Sequence, residues 1–262
     1  MCAAERRPST REDRYRSVLA NQGRGSTLQS IYQDVYGADY PSEAEPFGFV
    51  TLSDLRLLAE ILAQSHTTRL LDVGCGRGGP GLWIARALDV PLVGVDIIPE
   101  AVAAAAERAA GFGMAARAGF YVASATDTGL AAAGFDGAVS VDALWMVHDK
   151  PAAFRELARV LRPGGRLVFT SWEPALLPYG SFLERAGFTD ITTQEIAGSR
   201  DREIAVHEAV LRNWEAISLE LGKEAAEVLM AEAAHTPALL NDTPRVMISA
   251  VRGNTSRVRQ PH

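Results

Sequence analysis

Cysteine is nearly missing from this chain: Cys2 and Cys75 are the only two in 262 residues. One falls in a polar stretch and the other among glycines, which excludes a disulfide framework. Histidine, cysteine and carboxylate residues nowhere cluster at metal-ligand spacing, so no metal is expected. Positive charge is not in excess either, with 26 Lys and Arg against 32 Asp and Glu and a net charge of −6. A nucleic-acid surface needs a basic patch that this balance does not supply. No apolar run is long enough to span a bilayer and no secretory leader is recognisable, so a cytoplasmic protein without a membrane partner is expected. Internal repeats are lacking as well.

What is present is ample apolar material. Hydrophobic residues make up 47%, and this length suits one large α/β domain with additions. Residues 1–26 are polar and charged and predict a mobile arm, with 253–262 as a polar tail. A single domain is expected over 27–252. Its first part, 27–66, reads as a helical cap. Leu28, Ile31, Tyr32 and Val35 share one stripe, and Leu55, Leu58, Ala59 and Leu62 share another, behind a Thr51 or Ser53 cap. Over 68–175, predicted strands at 69–73, 92–95, 118–122, 137–141 and 166–170 alternate with helices. Near-continuous apolar strands of this kind imply a mostly parallel sheet covered on both faces. The helix at 151–161 is expected to stop at Pro163-Gly164-Gly165. The remainder, 176–252, adds a short helix, a strand at 189–195, a helical segment at 201–235 and a last strand at 245–251. That segment has His207, Val210, Leu211, Trp214, Ile217 and Leu221 on one stripe and reads as a lid over the strand ends. The fold expected is doubly wound, Rossmann-like α/β. Its seven mostly parallel strands carry an antiparallel last strand, an N-terminal helical cap and a late helical lid.

The stretch that says most about chemistry is Leu70-Leu71-Asp72-Val73-Gly74-Cys75-Gly76-Arg77-Gly78-Gly79, followed by an amphipathic segment. Strand, glycine loop and helix bring backbone close to a ligand and aim helix N–H groups at it. Open α/β sheets bind ligands beyond the carboxyl ends of their strands, and Asp96 ends the second strand, where a carboxylate can accept from both hydroxyls of a ribose. An adenosine-containing cofactor follows. Gly74-x-Gly76-x-x-Gly79, with Asp96 at about a 20-residue offset, formally matches the dinucleotide pattern of a nicotinamide oxidoreductase. Asp72 weighs against that, because an anion at the loop entrance repels a pyrophosphate and suits a cationic ligand such as S-adenosylmethionine.

Asp72 to Gly79 resembles the first motif of class I S-adenosylmethionine-dependent methyltransferases. Val95-Asp96 is similar to their second motif, Ala123 to Leu130 to their third, Phe135 to Leu144 to their fourth, and Leu157 to Leu167 to the segment before their fifth strand. The resemblance implies that Asp72, Gly74 and Gly76 hold the methionine part of S-adenosylmethionine. It implies that Asp96 takes the ribose hydroxyls, that Ile97 packs on the adenine, and that backbone at Val141 faces the methionine amino group. Where the family often has an acid for the adenine amino group, this chain has Ser124. That contact then passes to the hydroxyl or to backbone near Ala125, with Asp127 as second choice. Tyr32 and Tyr36 are expected to close over the cofactor.

Methyl transfer is an in-line displacement in which alignment supplies much of the acceleration, while a hydroxyl acceptor also needs a base. His148, just after the fourth strand, is the candidate general base or orienting group; the alternative is a histidine bonded to Asp149 or backbone. Trp145, Tyr40, Trp172, His207 and Trp214 are candidates for the acceptor side, against the plainer reading of each as packing. Tyr40 with Phe47 and Phe49 is a candidate gate, and Glu173 a candidate polar contact. The acceptor is expected to be a small molecule of bacterial natural-product metabolism, methylated on oxygen, nitrogen or carbon. A cyclase or isomerase using the same pocket without methyl transfer stays open, as does a non-catalytic cofactor-binding partner. A homo-oligomer is compatible with the sequence.

Overall fold

The computed structural model describes residues 16–19, 21, 25–175 and 178–254. One seven-stranded sheet runs in the order β3-β2-β1-β4-β5-β7-β6. β1 (Leu70–Val73), β2 (Leu92–Asp96), β3 (Ala118–Val122), β4 (Phe135–Val141) and β5 (Leu161–Trp172) are parallel, and β7 (Arg245–Arg252) lies antiparallel between β5 and β6 (Phe188–Glu195). Strand order turns back at β1 and β4, so the crevice beyond their carboxyl ends is where such a sheet takes its ligand.

Two apolar layers hold the sheet. Leu70, Leu82, Ile84, Leu92 and Val139 fill one face together with Leu55 and Leu58, and Leu71, Phe154, Leu157, Phe169 and Ile248 fill the other. The helices are α1 (Thr27–Tyr36), α2 (Leu52–Ala63), α3 (Gly79–Leu88), α4 (Pro99–Arg108) and α5 (Lys150–Val160). A capping box starts α2: Thr51 accepts from the Asp54 amide and Asp54 accepts from the Thr51 amide, both at 3.1 Å. Asp149 caps α5 by accepting from the Ala152 amide.

β5 begins well before the expected 166. Leu161 already pairs with Phe135, and the register slips before Arg166 meets Gly137. Pro163-Gly164-Gly165 therefore loops out as an irregularity inside the strand, with Gly164 at φ 81°, rather than ending a helix ahead of it.

After α6 (Tyr179–Arg185) and β6, the segment expected as one lid forms three helices: α7 (Ser199–Arg212), α8 (Trp214–Leu221) and α9 (Lys223–Leu239). Asn213 and Gly222 (φ 86°) break it. A 3.6-residue stripe does not continue across such a break. His207, Val210, Ile217 and Leu221 stay buried, whereas Leu211 and Trp214 turn outward. The lid packs on α1 in a third apolar cluster that includes Ile31, Tyr32, Val206, Val210 and Leu229. Glu220 of α8 ties the two layers by accepting from the Thr27 amide and hydroxyl at 2.9 and 2.8 Å. Of the arm expected at 1–26, residues 16–19 and 21 are helical, and Val18 is buried in this same cluster. The rest of that expectation, Gly25 and Ser26 apart, lies outside the described residues, as does the tail beyond 254. No described helix is long and apolar enough to cross a membrane.

Candidate active site

A cavity of about 540 Å³ opens at the carboxyl ends of β1, β2 and β4 and is closed from above by α1, α7 and α9. One half is built from the glycine loop. The Gly74 and Cys75 amides donate to the Val95 carbonyl, pinning the loop to β2. Gly74, Gly76 and Gly78 all have positive φ. At Gly74 a Cβ would stand 2.4 Å from Ala143 Cβ, whereas at Gly76 it would meet nothing within 4 Å, so the loop leaves an open cradle there. Asp96 anchors the cradle, accepting from the Gly76 amide at 2.8 Å and from the Ile98 amide at 3.0 Å. Asp72 lies against the first turn of α3, where a Cβ on Gly81 would come 2.1 Å from its carboxylate. Burial, then the nearby Asp96 charge, pushes the Asp72 pKa up to about 8. Such a site gains from a cationic ligand and from hydroxyl donors. Ile97, 41% exposed, offers an apolar face beside it.

Asp72, Gly74, Gly76, Asp96, Ile97, Ser124, Ala125 and Val141 all line this cavity. The Ser124 hydroxyl is shared with its own turn, bonding the Thr126 hydroxyl and accepting from the Thr126 amide. Asp127 is exposed and does not line the cavity.

The other half is aromatic. Trp145 and Trp172 meet edge to face at 5.6 Å, Phe49 and Trp172 at 5.8 Å, and Tyr32 and Phe49 at 6.1 Å. His207 lies 5.3 Å from Phe49, and its Nε2 has no hydrogen-bond partner among the described residues. Burial pushes its pKa down to about 4. One turn earlier, Glu203 accepts from Trp172 Nε1 at 2.8 Å; burial pushes its pKa up to about 7, against the opposing effects of Trp172 and Arg245.

His148 lines the cavity too, but at an exposed position on the rim. Three expected contributors stand outside the lining. Tyr36 is buried under the cap, packed on Tyr32 at 5.7 Å. Tyr40 is buried between Gln29 and Glu45, where burial first, and then Glu45, raises its pKa to about 12. Trp214, 48% exposed, starts α8 on its outer side. Phe47 and Phe49 do line the cavity, while Glu173 caps α6 by accepting from the Tyr179 amide.

Sequence reasoning missed the buried cation behind the aromatic half. Arg245, fully buried at the start of β7, donates from Nε and Nη2 to Asp142 at 3.0 and 3.1 Å and from Nη1 to Asp54 at 3.0 Å. Asp142, at the end of β4 with φ 51°, also accepts from the Thr170 hydroxyl and the Phe49 amide. Burial alone would lower the Arg245 pKa; the two carboxylates outweigh it and hold the guanidinium above its usual range. A lone arginine opening an apolar strand, and an aspartate closing another, were the available signals.

Residues 71–169 match the family model described as a methyltransferase domain. The O-methyltransferase rstn1 of Aspergillus nomiae is 32% identical over 159 residues, which is 61% of this chain and 68% of that protein. Phosphoethanolamine N-methyltransferase 1 of Triticum aestivum is 30% identical over 207 residues, 71% of this chain, and its counterpart in Arabidopsis thaliana is also 30% identical. The chain spans only 40% and 35% of the length of those two proteins. Among solved structures, the [4+2]-cyclase SpnF superposes with a TM-score of 0.66 at 23% identity, covering 89% of this chain and 97% of that one, a likeness of fold. The glycine pattern that also fitted a nicotinamide enzyme is thereby resolved: the chain belongs to the class I S-adenosylmethionine-dependent methyltransferase family.

Proposed function

We infer that the protein transfers a methyl group from S-adenosylmethionine to a small-molecule acceptor, in bacterial natural-product metabolism within the cytoplasm. One observation carries this reading. Two carboxylates flanking a glycine cradle open onto the same cavity as a wall of tryptophan, phenylalanine and histidine.

In this reading Asp96 takes the ribose hydroxyls and Ile97 covers the adenine, with Ser124 and backbone at Ala125 at its edge. Asp72, Gly74, Gly76 and backbone at Val141 hold the methionine end, and Tyr32 closes the cavity from α1. Bound there, the cofactor supplies a methyl group on a sulfonium, already activated for displacement. The protein's part is alignment and exclusion of water: Phe49, Trp145 and Trp172 fix the acceptor's plane, and the lid shuts out solvent. His207 touches the acceptor inside, and His148 meets it at the mouth.

Titration calorimetry with S-adenosylhomocysteine and with NAD tests the cofactor; binding of the first and not the second is expected. Incubation with methyl-labelled S-adenosylmethionine and a panel of hydroxylated polyketides and phenols tests the reaction. Label in the product supports transfer. A product of unchanged mass would instead support rearrangement in the same cavity, and binding of NAD alone would overturn the reading.

A further inference from the structure

The acceptor end of the cavity is largely apolar. Phe49, Trp145, Trp172, Val206, Val210 and Leu229 surround it. His207 interrupts them: it is 4% exposed, and its Nε2 lacks a partner among the described residues. Burying a ring nitrogen unpaired costs free energy that an arriving O–H donor removes.

The charges around it limit what the acceptor can carry. Arg77 and Arg108 are the arginines among the lining residues, and both stand on the glycine-loop side. Arg108 is engaged there, donating to the Arg77 and Ala44 carbonyls and pairing with Glu45. Arg245, behind Trp172, is committed to Asp142 and Asp54. On the lid side Glu232 lines the cavity, and Glu203 stands behind it beside Arg202, whose guanidinium is turned to the Ala197 carbonyl. Among the described residues lining this end no arginine or lysine would neutralise a phosphate or carboxylate, and bringing an anion beside Glu232 is unfavourable. Burial keeps His207 uncharged at neutral pH, ready to accept a hydrogen bond.

We propose that the acceptor is an uncharged, largely apolar molecule with a flat body between Phe49, Trp145 and Trp172, whose hydroxyl donates to the unpartnered imidazole of His207. The chain would thus differ in substrate class from the phosphoethanolamine methyltransferases it matches, whose named substrate carries a phosphate. This deepens the methyl-transfer reading of the same cavity and rests on it.

The test is calorimetry on the full chain saturated with S-adenosylhomocysteine, using 2-naphthol, 2-methoxynaphthalene and 2-naphthyl phosphate as probes. Naphthol should bind at least tenfold more tightly than either of the others. In His207→Phe, which keeps a ring against Phe49, naphthol should fall to the level of its methyl ether while affinity for S-adenosylhomocysteine stays within twofold. His207→Gln, which restores a hydrogen-bonding group, should recover part of the loss, and it stands in if the phenylalanine variant does not fold. A phosphate bound as tightly as naphthol would overturn the inference. So would a series without preference for the free hydroxyl, including one in which nothing binds, or a His207→Phe variant that holds naphthol unchanged. Failure of S-adenosylhomocysteine itself to bind would overturn the methyl-transfer reading together with this one; its binding alongside a flat probe series would overturn this one alone.

Discussion

The two halves of the cavity are made in different ways. The cofactor half comes from short stretches contiguous in sequence, each placed at a strand end by local rules: apolar strand, glycine turn, helix start. Its polar contacts run largely through backbone, as when Asp96 accepts from the Gly76 and Ile98 amides. The acceptor half is assembled from residues far apart in the chain. Phe49, Asp142, Trp172, Glu203, His207 and Arg245 meet only when cap, sheet and lid have packed together. Local rules therefore suffice to place the first half, whereas the second depends on how the three layers pack.

The largest expected effect tests whether the assembled half really depends on its buried ion cluster. Arg245→Ala leaves Asp142 and Asp54 facing each other without their cation. Breaking such a pair costs about 3–5 kcal/mol, which for a domain of this size lowers the melting temperature by about 10 °C. Calorimetric melting of the ligand-free protein measures it; a drop of only a degree or two would mean that the aromatic half tolerates an unpaired acid pair and does not depend on its buried cation.

The complementary change acts on the other half. Asp96→Ala removes the acceptor of the Gly76 amide and, in the proposed reading, of the ribose hydroxyls. Affinity for S-adenosylhomocysteine should drop by about 1.5–3 kcal/mol, roughly ten- to a hundredfold, as charge-assisted hydrogen bonds are lost. Naphthalene probes read in the same titration should change far less. Equal losses for both ligands would show that the halves are not separable.

The same division explains what the sequence disclosed. The glycine loop, Asp96, Ser124 and Val141 were legible because each sits within a few residues of a strand whose apolar pattern is unambiguous, and the family motifs fix their register. The sheet was legible for the same reason, apart from β5, where a Pro-Gly-Gly loop inside a strand looks identical to a loop before one. On the lid side, periodicity identified helices but not their breaks. Trp214 was read onto the stripe of His207, yet Asn213 turns it outward. Tyr36, at the end of α1, and Tyr40, in the loop after it, stand outside the cavity because each packs where its own neighbours lie. Arg245 escaped notice because a buried ion cluster spanning 54, 142 and 245 leaves no local pattern.

A smaller effect separates stability from binding within the cofactor half. With its pKa raised to about 8 from an ordinary 3.8, Asp72 binds its proton more tightly folded than unfolded. Its contribution to stability is complete below pH 3.8 and is lost as pH rises through 8. Asp72→Asn removes that loss. The ligand-free variant should match the parent near pH 4 and exceed it progressively as pH rises towards 8, while binding S-adenosylhomocysteine more weakly. A difference in stability independent of pH would mean that Asp72 is not held against its ionised form.

The smallest effect is expected at His148. A general base at this position would contribute about 10²–10⁴-fold to turnover. The ring stands exposed on the rim, however, while His207 is inside and buried. Removal of an exposed side chain away from packing usually changes free energies by no more than about 0.5 kcal/mol. His148→Ala should therefore leave S-adenosylhomocysteine affinity within about twofold and slow single-turnover methylation by less than about threefold. His207→Phe, assayed beside it on the same acceptor, should slow it by at least about tenfold, since it removes the hydroxyl's partner. A hundredfold loss at His148 with none at His207 would return the proton transfer to the rim. It would also mean that the lid swings far enough to bring the exposed segment after β4 against the acceptor, a closure that the present packing of α7 on Phe49 does not require.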